Sequence, residues 1–534
     1  MKILGGMVGL IMSLRPDSLP SDPAELKTIV IDLLAENAEL RVYADLLRQM
    51  IFGTKSEKLA VLDPTQIALD LGDLCEVPVA ANDDADDEDR PRRKRRPASR
   101  NMGALPKHLL RCEEVIEPDS TICSCCGLPL HRIGEDVSEA LDIVPALLRV
   151  IRTIRPKYAC RACAAHVVQA PARSRVMDGG MATTALVAHV VVSKFAWHLP
   201  LYRQAQIFAG YGIDIDRGTL GNWVGRAAWW LKPLYERLLA FIRAQPRVFC
   251  DETPLPRLDP GRKRTKVCQL WAQAIDDRPW QGPAPPAVGY VFAESRGTDE
   301  IEAQLSTFGG VLQVDGYAAY KSLAKRRRKS NAAPLQLAFC LAHARRKFVE
   351  VVKTTGSTEA LAVIATIAEV YRIEERVRGT SAEERLSVRK AESAALMVAL
   401  KERLDTLISE VSAKSSLGKA VAYALSHWQG LTAFLGDGRI EVDSNVVERA
   451  IKPVCLTRKN VLFAGSSHGG ETWAVLASLV NSAKLNDLDP ETWLADVLEQ
   501  IVSGAVSLNR LDELLPWNWK AEREAWCQTA AVAA

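Results

Sequence analysis

The chain lacks a charge surplus: 68 basic residues against 65 acidic ones leave a formal net charge of +3 over 534 residues. Bulk charge therefore announces no polyanionic partner, and contact with nucleic acid has to come from local patches. A disulfide framework is missing too. Twelve cysteines in a chain of this length do not make the stapled scaffold of a small secreted domain, and their scatter suits a reducing cytosol. The apolar stretch Ile3 to Leu14 behind Lys2 has no small-residue cleavage site and is too short to span a bilayer, so no membrane partner is expected. A start codon assigned too early, with Met7 or Met12 as the true one, is a rival account of that stretch. No Gly-rich phosphate-cradling loop precedes a helix, and no Ser/His/Asp or Cys/His nucleophilic set stands out.

What is present is a set of three carboxylates in distinctive frames. Asp251 follows Arg247-Val248-Phe249-Cys250, Asp315 follows Val311-Leu312-Gln313-Val314, and Glu448 lies in Asp443-Ser444-Asn445-Val446-Val447-Glu448-Arg449-Ala450. Two aspartates at strand ends and a later helical glutamate are the hard oxygen ligands needed to clamp two divalent cations, Mg²⁺ or Mn²⁺, around a phosphodiester. Asp251 would bridge both ions, with Asp315 and Glu448 each completing one site.

Apolar content of 48% and charged content of 25% are ordinary for globular cores, and the length favours about three to four domains. Residues 1–21 read as disordered. Over 22–60, leucines recur every seven residues (Leu26, Leu33, Leu40, Leu47) with Asn37 at an a position. That pattern favours a parallel two-stranded coiled coil, hence a homodimer or higher oligomer; an amphipathic helix packed on its own domain is the alternative. A charged linker follows over 61–115, with six acids in 83–89 and six bases in 90–96. Its basic half either touches DNA phosphates or neutralises the acidic half.

Within 116–170, Cys123-x2-Cys126 and Cys160-x2-Cys163 supply four thiolates for one structural Zn²⁺. Cys112 and Cys125 are additional candidates, and Val137 to Arg155 reads as strands filling the gap between the pairs. Over 171–243 a helix at Leu199 to Ala209, a turn at Gly210-Tyr211-Gly212 and a helix at Arg217 to Trp230 capped by Asp216 give a helix-turn-helix outline. An ordinary helical hairpin fits equally. In the DNA-binding reading Arg217, Thr219, Asn222 and Arg226 face outward into the major groove.

From Arg247 the period becomes that of strands: Arg247 to Asp251, Lys266 to Ile275 and Ala287 to Ala293, then a helix Thr298 to Phe308 and the strand Val311 to Asp315. A strand at Leu335 to Leu341 leads into a helix carrying His343, Arg345, Arg346 and Lys347. Three strands, a helix and a fourth strand open a ribonuclease H-like fold, in which the first and fourth strands are neighbours. The fold class expected is therefore multidomain α+β, with a ribonuclease H-like α/β core over 244–350 and 436–475. An all-helical insertion over 351–435 interrupts it. The glutamate is expected on a short helix ending before Pro453, with Val447 and Ile451 buried and Glu448 on the adjacent face. A C-terminal helical region, 476–534, carries Trp493, Trp517, Trp519 and Trp526; these and Trp473 are expected to pack.

At these positions the ensemble closely resembles the transposases of the insertion sequence 66 family, over nearly the whole chain. The matching motifs include Phe52-Gly53-x-Lys55-Ser56-Glu57-Lys58, both cysteine pairs and His198-Leu199-Pro200-Leu201-Tyr202-Arg203-Gln204. They continue with Cys250-Asp251-Glu252-Thr253, Val314-Asp315-Gly316-Tyr317, Ala342-His343-Ala344-Arg345-Arg346-Lys347-Phe348, Glu448-Arg449-Ala450-Ile451 and Arg458-Lys459-Asn460. The resemblance implies a DDE transposase with its triad on Asp251, Asp315 and Glu448. It also implies recognition of terminal inverted repeats and target DNA as double strands, and small accessory proteins from the same element. A bacterial cytoplasmic, nucleoid-associated location goes with that. Ser444 stands where the family usually shows Asn, Leu341 where it often has Trp, and the basic run Lys325 to Lys329 is a local elaboration. Around the triad, Arg345, Arg346, Arg449, Arg458 and Lys459 would hold DNA phosphates, or else form a salt-bridge network. His343 would orient the scissile phosphate or serve as a structural histidine. A hydrolytic nuclease that cuts without joining, and a DNA-binding repressor with a dead centre, are the competing readings.

Overall fold

In the computed structural model the described residues are 148, 150–151, 157–159, 167–169, 174–177, 180–259, 261, 264–330 and 333–533. The zipper-like helix, the charged linker, nearly all of the strands expected over Val137 to Arg155, and Cys123, Cys126, Cys160 and Cys163 lie outside them. Of the zinc-binding segment, a short antiparallel pair is described, Lys157–Ala159 with Val167–Gln169.

A five-stranded mixed sheet organises the rest: β1 (Arg247–Asp259), β2 (Arg264–Ile275), β3 (Ala287–Ala293), β4 (Gly310–Val314) and β5 (Leu335–Phe339). Their spatial order is β3-β2-β1-β4-β5. The first three strands are antiparallel neighbours, whereas β1, β4 and β5 run parallel. The parallel part is covered on both faces, which is why Val311-Leu312-Gln313-Val314 reads as a nearly continuous buried run.

β1 and β4 pair in the register Arg247↔Val311, Val248↔Leu312 and Phe249↔Gln313. Carried two residues further, that register sets Asp251 level with Asp315 on strands about 4.8 Å apart. Beyond this point β4 has ended and β1 continues with β2 as a long ribbon. Pro254 and Pro256 are tolerated there because the edge they face holds no complete ladder. Ala464 bridges to that edge, its N–H donating to the Pro256 carbonyl at 2.8 Å.

Helices cover both faces. Alternation along β1 sends Asp251 and Thr253 to one face and Glu252 to the other. On the first face lies the helix Asn445–Val461, where Thr253 Oγ1 meets Cys455 Sγ at 3.5 Å. On the second, Tyr320 of the helix Ala318–Ser330 packs edge-on against Trp271 of β2. The helix Asn445–Val461 is longer than expected: it runs through Pro453. Within the turn before the proline, the carbonyl of Ala450 accepts the hydroxyl of buried Tyr290.

The outer edge of β3 is closed by side chains. Ser478 and Ser482, on the helix Ser467–Leu485, accept from the N–H groups of Tyr290 and Val288 at 2.7 and 3.1 Å. These hydroxyls remove the free ladder that an edge strand otherwise presents. The helix Arg217–Arg243 lies against the same strand. Leu239 fills the space a side chain at Gly289 would need. This helix extends well past Trp230, with Asp216 as its N-cap as expected. The helix Thr184–Phe195 in turn packs on Pro490–Ser503 through His189 with Glu491 and Thr184 with Glu499. Helices from before the sheet and from the C-terminus thus form one layer, and the boundary expected at 475/476 falls inside a single helix. Trp473, Trp493 and Trp519 are buried, Trp517 is half-buried, and Trp526, expected to pack, is exposed because it lies on the outer side of the last helix.

The segment 351–435 is helical, containing Thr358–Val377, Ala382–Val388, Ala394–Glu410 and Ser416–Ser426. It docks on the sheet through buried charges. Glu374 accepts from Arg389 at 2.7 Å and from Arg385 at 3.3 Å, and Arg385 also donates to Glu441 at 2.8 Å. The main chain of Glu441 is held in turn by both ends of the Gln313 side amide on β4. That chain of bonds fixes the segment leading into the Glu448 helix.

Candidate active site

Asp251 comes from β1, Asp315 from the residue after β4, and Glu448 from the first turn of the helix Asn445–Val461. Asp315 and Glu448 both lie close enough to Asp251 for their charges to act on it. The Asp251 carboxyl is raised well above the usual carboxylate range by burial first, then by the charges of Glu252 and Asp315, with Glu448 adding to them. Each acid has a local hydrogen bond. Asp251 Oδ1 accepts from the Glu252 N–H at 2.9 Å, Asp315 Oδ1 from the Tyr317 N–H at 2.8 Å, and Glu448 Oε1 from the Ser444 hydroxyl at 3.1 Å. Glu448 is buried at 3% exposure, and its Oε2 has no protein partner. A buried carboxylate oxygen without a donor is costly unless a cation meets it.

Cys340, His343 and Glu448 also lie together, their ligand atoms all within 4.8 Å of one another. His343 Nδ1 sits 3.5 Å from Glu448 Oε1 and is otherwise unpartnered. Burial lowers the His343 pKa and outweighs the neighbouring Glu448 charge, so the ring is neutral at pH 7. Burial pushes the Cys340 thiol up to about 12, leaving it a protonated acceptor for the Ser444 N–H at 3.3 Å. The donor set suited to a hard divalent cation is therefore the all-oxygen one of Asp251, Asp315 and Glu448.

The basic residues divide. Arg345 is buried at 7% exposure, on the face of its helix that also buries Ala344 and Phe348, which contradicts a surface phosphate contact. Arg458 is a clamp rather than an open cation: its guanidinium donates to Thr253 Oγ1 at 2.9 Å and to the Pro254 carbonyl. Arg449 and Lys459 are exposed, and Arg346 and Lys347 half-exposed. Arg449 lines a cleft of about 340 Å³ with Asp276, Arg278 and Lys484, flanking the helix that carries Glu448. Arg217, Asn222 and Arg226 face outward as expected, with Arg226 over the exposed Trp229 ring. Thr219 is half-buried, and its hydroxyl donates to the Asp216 cap at 2.8 Å, so it belongs to the helix start. In the run Lys325 to Lys329, Arg326 pairs with Asp299 and Glu302, and buried Arg327 donates to the carbonyls of Leu305 and Phe308.

Three residues escaped the sequence reading. Glu252, on the opposite face of β1, pairs with Arg296 and accepts from the Tyr320 hydroxyl. Tyr423 and His427, from the helical insertion, reach the turn after Asp315. The glycine following Asp315 was the available signal, since a glycine beside a strand end often admits a close neighbour.

Comparison with known proteins agrees with this organisation. Residues 179–472, more than half of the chain, match the family described as Transposase IS66 family. Residues 120–164, which include Cys123, Cys126, Cys160 and Cys163, match the zinc-finger binding domain of transposase IS66. Residues 478–517 match the IS66 C-terminal element and 39–113 the Transposase C of IS166 homeodomain. The Sinorhizobium fredii (strain NBRC 101917 / NGR234) protein y4jD is 66% identical over 513 residues, which is 96% of this chain and 99% of the relative. A second protein of that organism, y4qI, is 41% identical over 94% of this chain and 93% of its own length. A third, y4hP, is 36% identical over 92% and 90%.

Proposed function

Because the chain belongs to the IS66 transposase family, we propose that it binds the terminal inverted repeats of an insertion sequence and catalyses metal-dependent strand cleavage and strand transfer. The observation that carries the reading is the convergence of Asp251, Asp315 and Glu448 from three distant parts of the chain. The strand order β3-β2-β1-β4-β5, with acids on β1, just past β4 and on a late helix, supports a ribonuclease H-like core.

In this reading Asp251, Asp315 and Glu448 would together hold the divalent cations. Two bound Mg²⁺ or Mn²⁺ ions would lower the pKa of an attacking water or 3′-hydroxyl and stabilise the leaving oxygen. Ser444 fixes Glu448 Oε1 and leaves the buried Oε2 without a protein partner. Neutral His343 stands beside that carboxylate, placed to orient the scissile phosphate. Attack by water releases a 3′-hydroxyl at the element end. That hydroxyl then attacks a target phosphodiester, forming one P–O bond as another breaks. No enzyme-bound intermediate is involved, in keeping with buried thiols at Cys250 and Cys340 that burial keeps protonated.

Cys123, Cys126, Cys160 and Cys163 would hold one structural Zn²⁺. In this reading the exposed or half-exposed Arg449, Lys459, Lys347 and Arg346 contact phosphates, and the outward-facing Arg217, Asn222 and Arg226 meet the DNA groove. Dimerisation through the N-terminal heptads and accessory proteins of the same element complete the proposed complex. The described residues include no helix long and apolar enough to cross a membrane.

Incubation with labelled element-end DNA and Mg²⁺, beside Asp315→Asn, tests the function. Strand-transfer product from the unaltered chain alone is the expected result. Hydrolysis without joining would make it a nuclease, and binding without cleavage a repressor.

A further inference from the structure

The insertion over 351–435 reads in sequence as an interruption of the catalytic domain, yet its helix Ser416–Ser426 reaches the candidate site. Past Val314 the parallel ladder between β4 and β5 is finished, and the following turn has no strand partner. That turn lies against the helix Ser416–Ser426 and its C-cap. The Tyr423 hydroxyl donates to the Asp315 carbonyl at 2.8 Å, and His427 Nε2 lies 3.3 Å from the Gly316 carbonyl. The two rings stack at 4.2 Å, His427 Nδ1 is 2.7 Å from the Tyr423 carbonyl, and Phe339 of β5 meets His427 edge-on. Lys347 lies over the Tyr423 ring at 4.6 Å.

The fit leaves no slack. Gly316 adopts φ +101°, and a Cβ there would stand 2.8 Å from Tyr423 Oη and 3.0 Å from His427 Nε2. The same turn is tied to the Asp315 side chain, since the Tyr317 N–H donates to Asp315 Oδ1 at 2.8 Å. Main-chain displacement at Asp315–Gly316 therefore moves the carboxylate with it.

We propose that Tyr423 and His427 are positioning residues, through which the helical insertion holds the Asp315 carboxylate in register with Asp251 for cation binding. The inference rests on the metal-dependent reading of the Asp251, Asp315 and Glu448 cluster. It makes the insertion a working part of the site. The outer groups that orient a ligating carboxylate typically contribute about 10- to 100-fold in metal affinity.

The test uses the full, zinc-loaded chain and Mn²⁺ as the probe, with free Mn²⁺ read by electron paramagnetic resonance and the melting midpoint recorded in parallel. Tyr423→Phe keeps the stacked ring and removes only the donated hydrogen bond. It is expected to weaken Mn²⁺ binding by about tenfold with an unchanged midpoint. Asp315→Asn, which removes the carboxylate itself, is expected to weaken it further. Wild-type Mn²⁺ affinity in Tyr423→Phe beside weakened binding in Asp315→Asn overturns the proposal and leaves the metal-site reading intact. Wild-type affinity in Asp315→Asn overturns the reading beneath it. Should Tyr423→Phe fold poorly, His427→Gln leaves the tyrosine hydroxyl in place and carries the same comparison, with weaker Mn²⁺ binding expected and unchanged binding overturning the proposal.

Discussion

In zinc-loaded protein given no other divalent cation, Asp251→Asn should stabilise the fold. Burial, then Glu252 and Asp315, raise the Asp251 carboxyl well above its ordinary 3.8. A folded-state pKa above the unfolded one makes the contribution of this group to stability complete below pH 3.8 and lost as pH rises through the folded value. At neutral pH this carboxyl therefore opposes folding. Asparagine keeps the volume and an oxygen able to accept from the Glu252 N–H, and it removes the charge. Relief of functional-site repulsion of this kind gives about 0.5–2 kcal/mol, on the order of one to a few degrees in melting midpoint. Magnesium should reverse the ranking. At ten times its dissociation constant a cation adds about 1.4 kcal/mol to the state that binds it, and only the unaltered carboxylate set gains that fully. Thermal melts of both proteins at pH 7 across a magnesium titration measure both effects. A lower midpoint for Asp251→Asn without added cation, or an equal magnesium response in the two proteins, refutes the reasoning.

Two further expectations concern the surrounding frame. Burial pushes Asp443 up to about 6, so its contribution to stability is complete below about pH 4 and lost as pH rises through about 6. In urea unfolding, the stability of the unaltered protein relative to Asp443→Asn should fall by a few kcal/mol across that window, at about 1.4 kcal/mol per pKa unit, and a flat difference contradicts it. Arg389→Met leaves buried Glu374 with only the 3.3 Å contact from Arg385, which should cost about 3–5 kcal/mol. The double change Arg389→Met with Glu374→Leu should recover most of that loss, and failure to do so would place the cost in packing instead.

The strand pattern and the acids at its ends were legible because apolar period and motif are local properties. The β1–β4 register then required nothing more than the observed pairing to set Asp251 beside Asp315. What escaped depends on contacts between remote segments. Pro453 reads as a helix stop, but the helix runs through it, packed on β1 and β2. Arg345 and Arg458 read as phosphate ligands from their charge, yet one is buried and the other braces β1 against the Glu448 helix. The clamp from Tyr423 joins residues 108 positions apart. Only the glycine after Asp315 hinted at it.

Asp251, Asp315 and Glu448 are proposed to meet at one divalent-cation site. Iron-directed backbone cleavage tests it most directly: Fe²⁺ replaces Mg²⁺, ascorbate and peroxide generate hydroxyl radical at the bound ion, and the fragments are mapped by mass spectrometry. Cuts are expected next to residues 251, 315 and 448 in the same preparation, all suppressed by excess Mg²⁺. Cuts near 251 and 315 without any at 448, or a pattern indifferent to Mg²⁺, would contradict it.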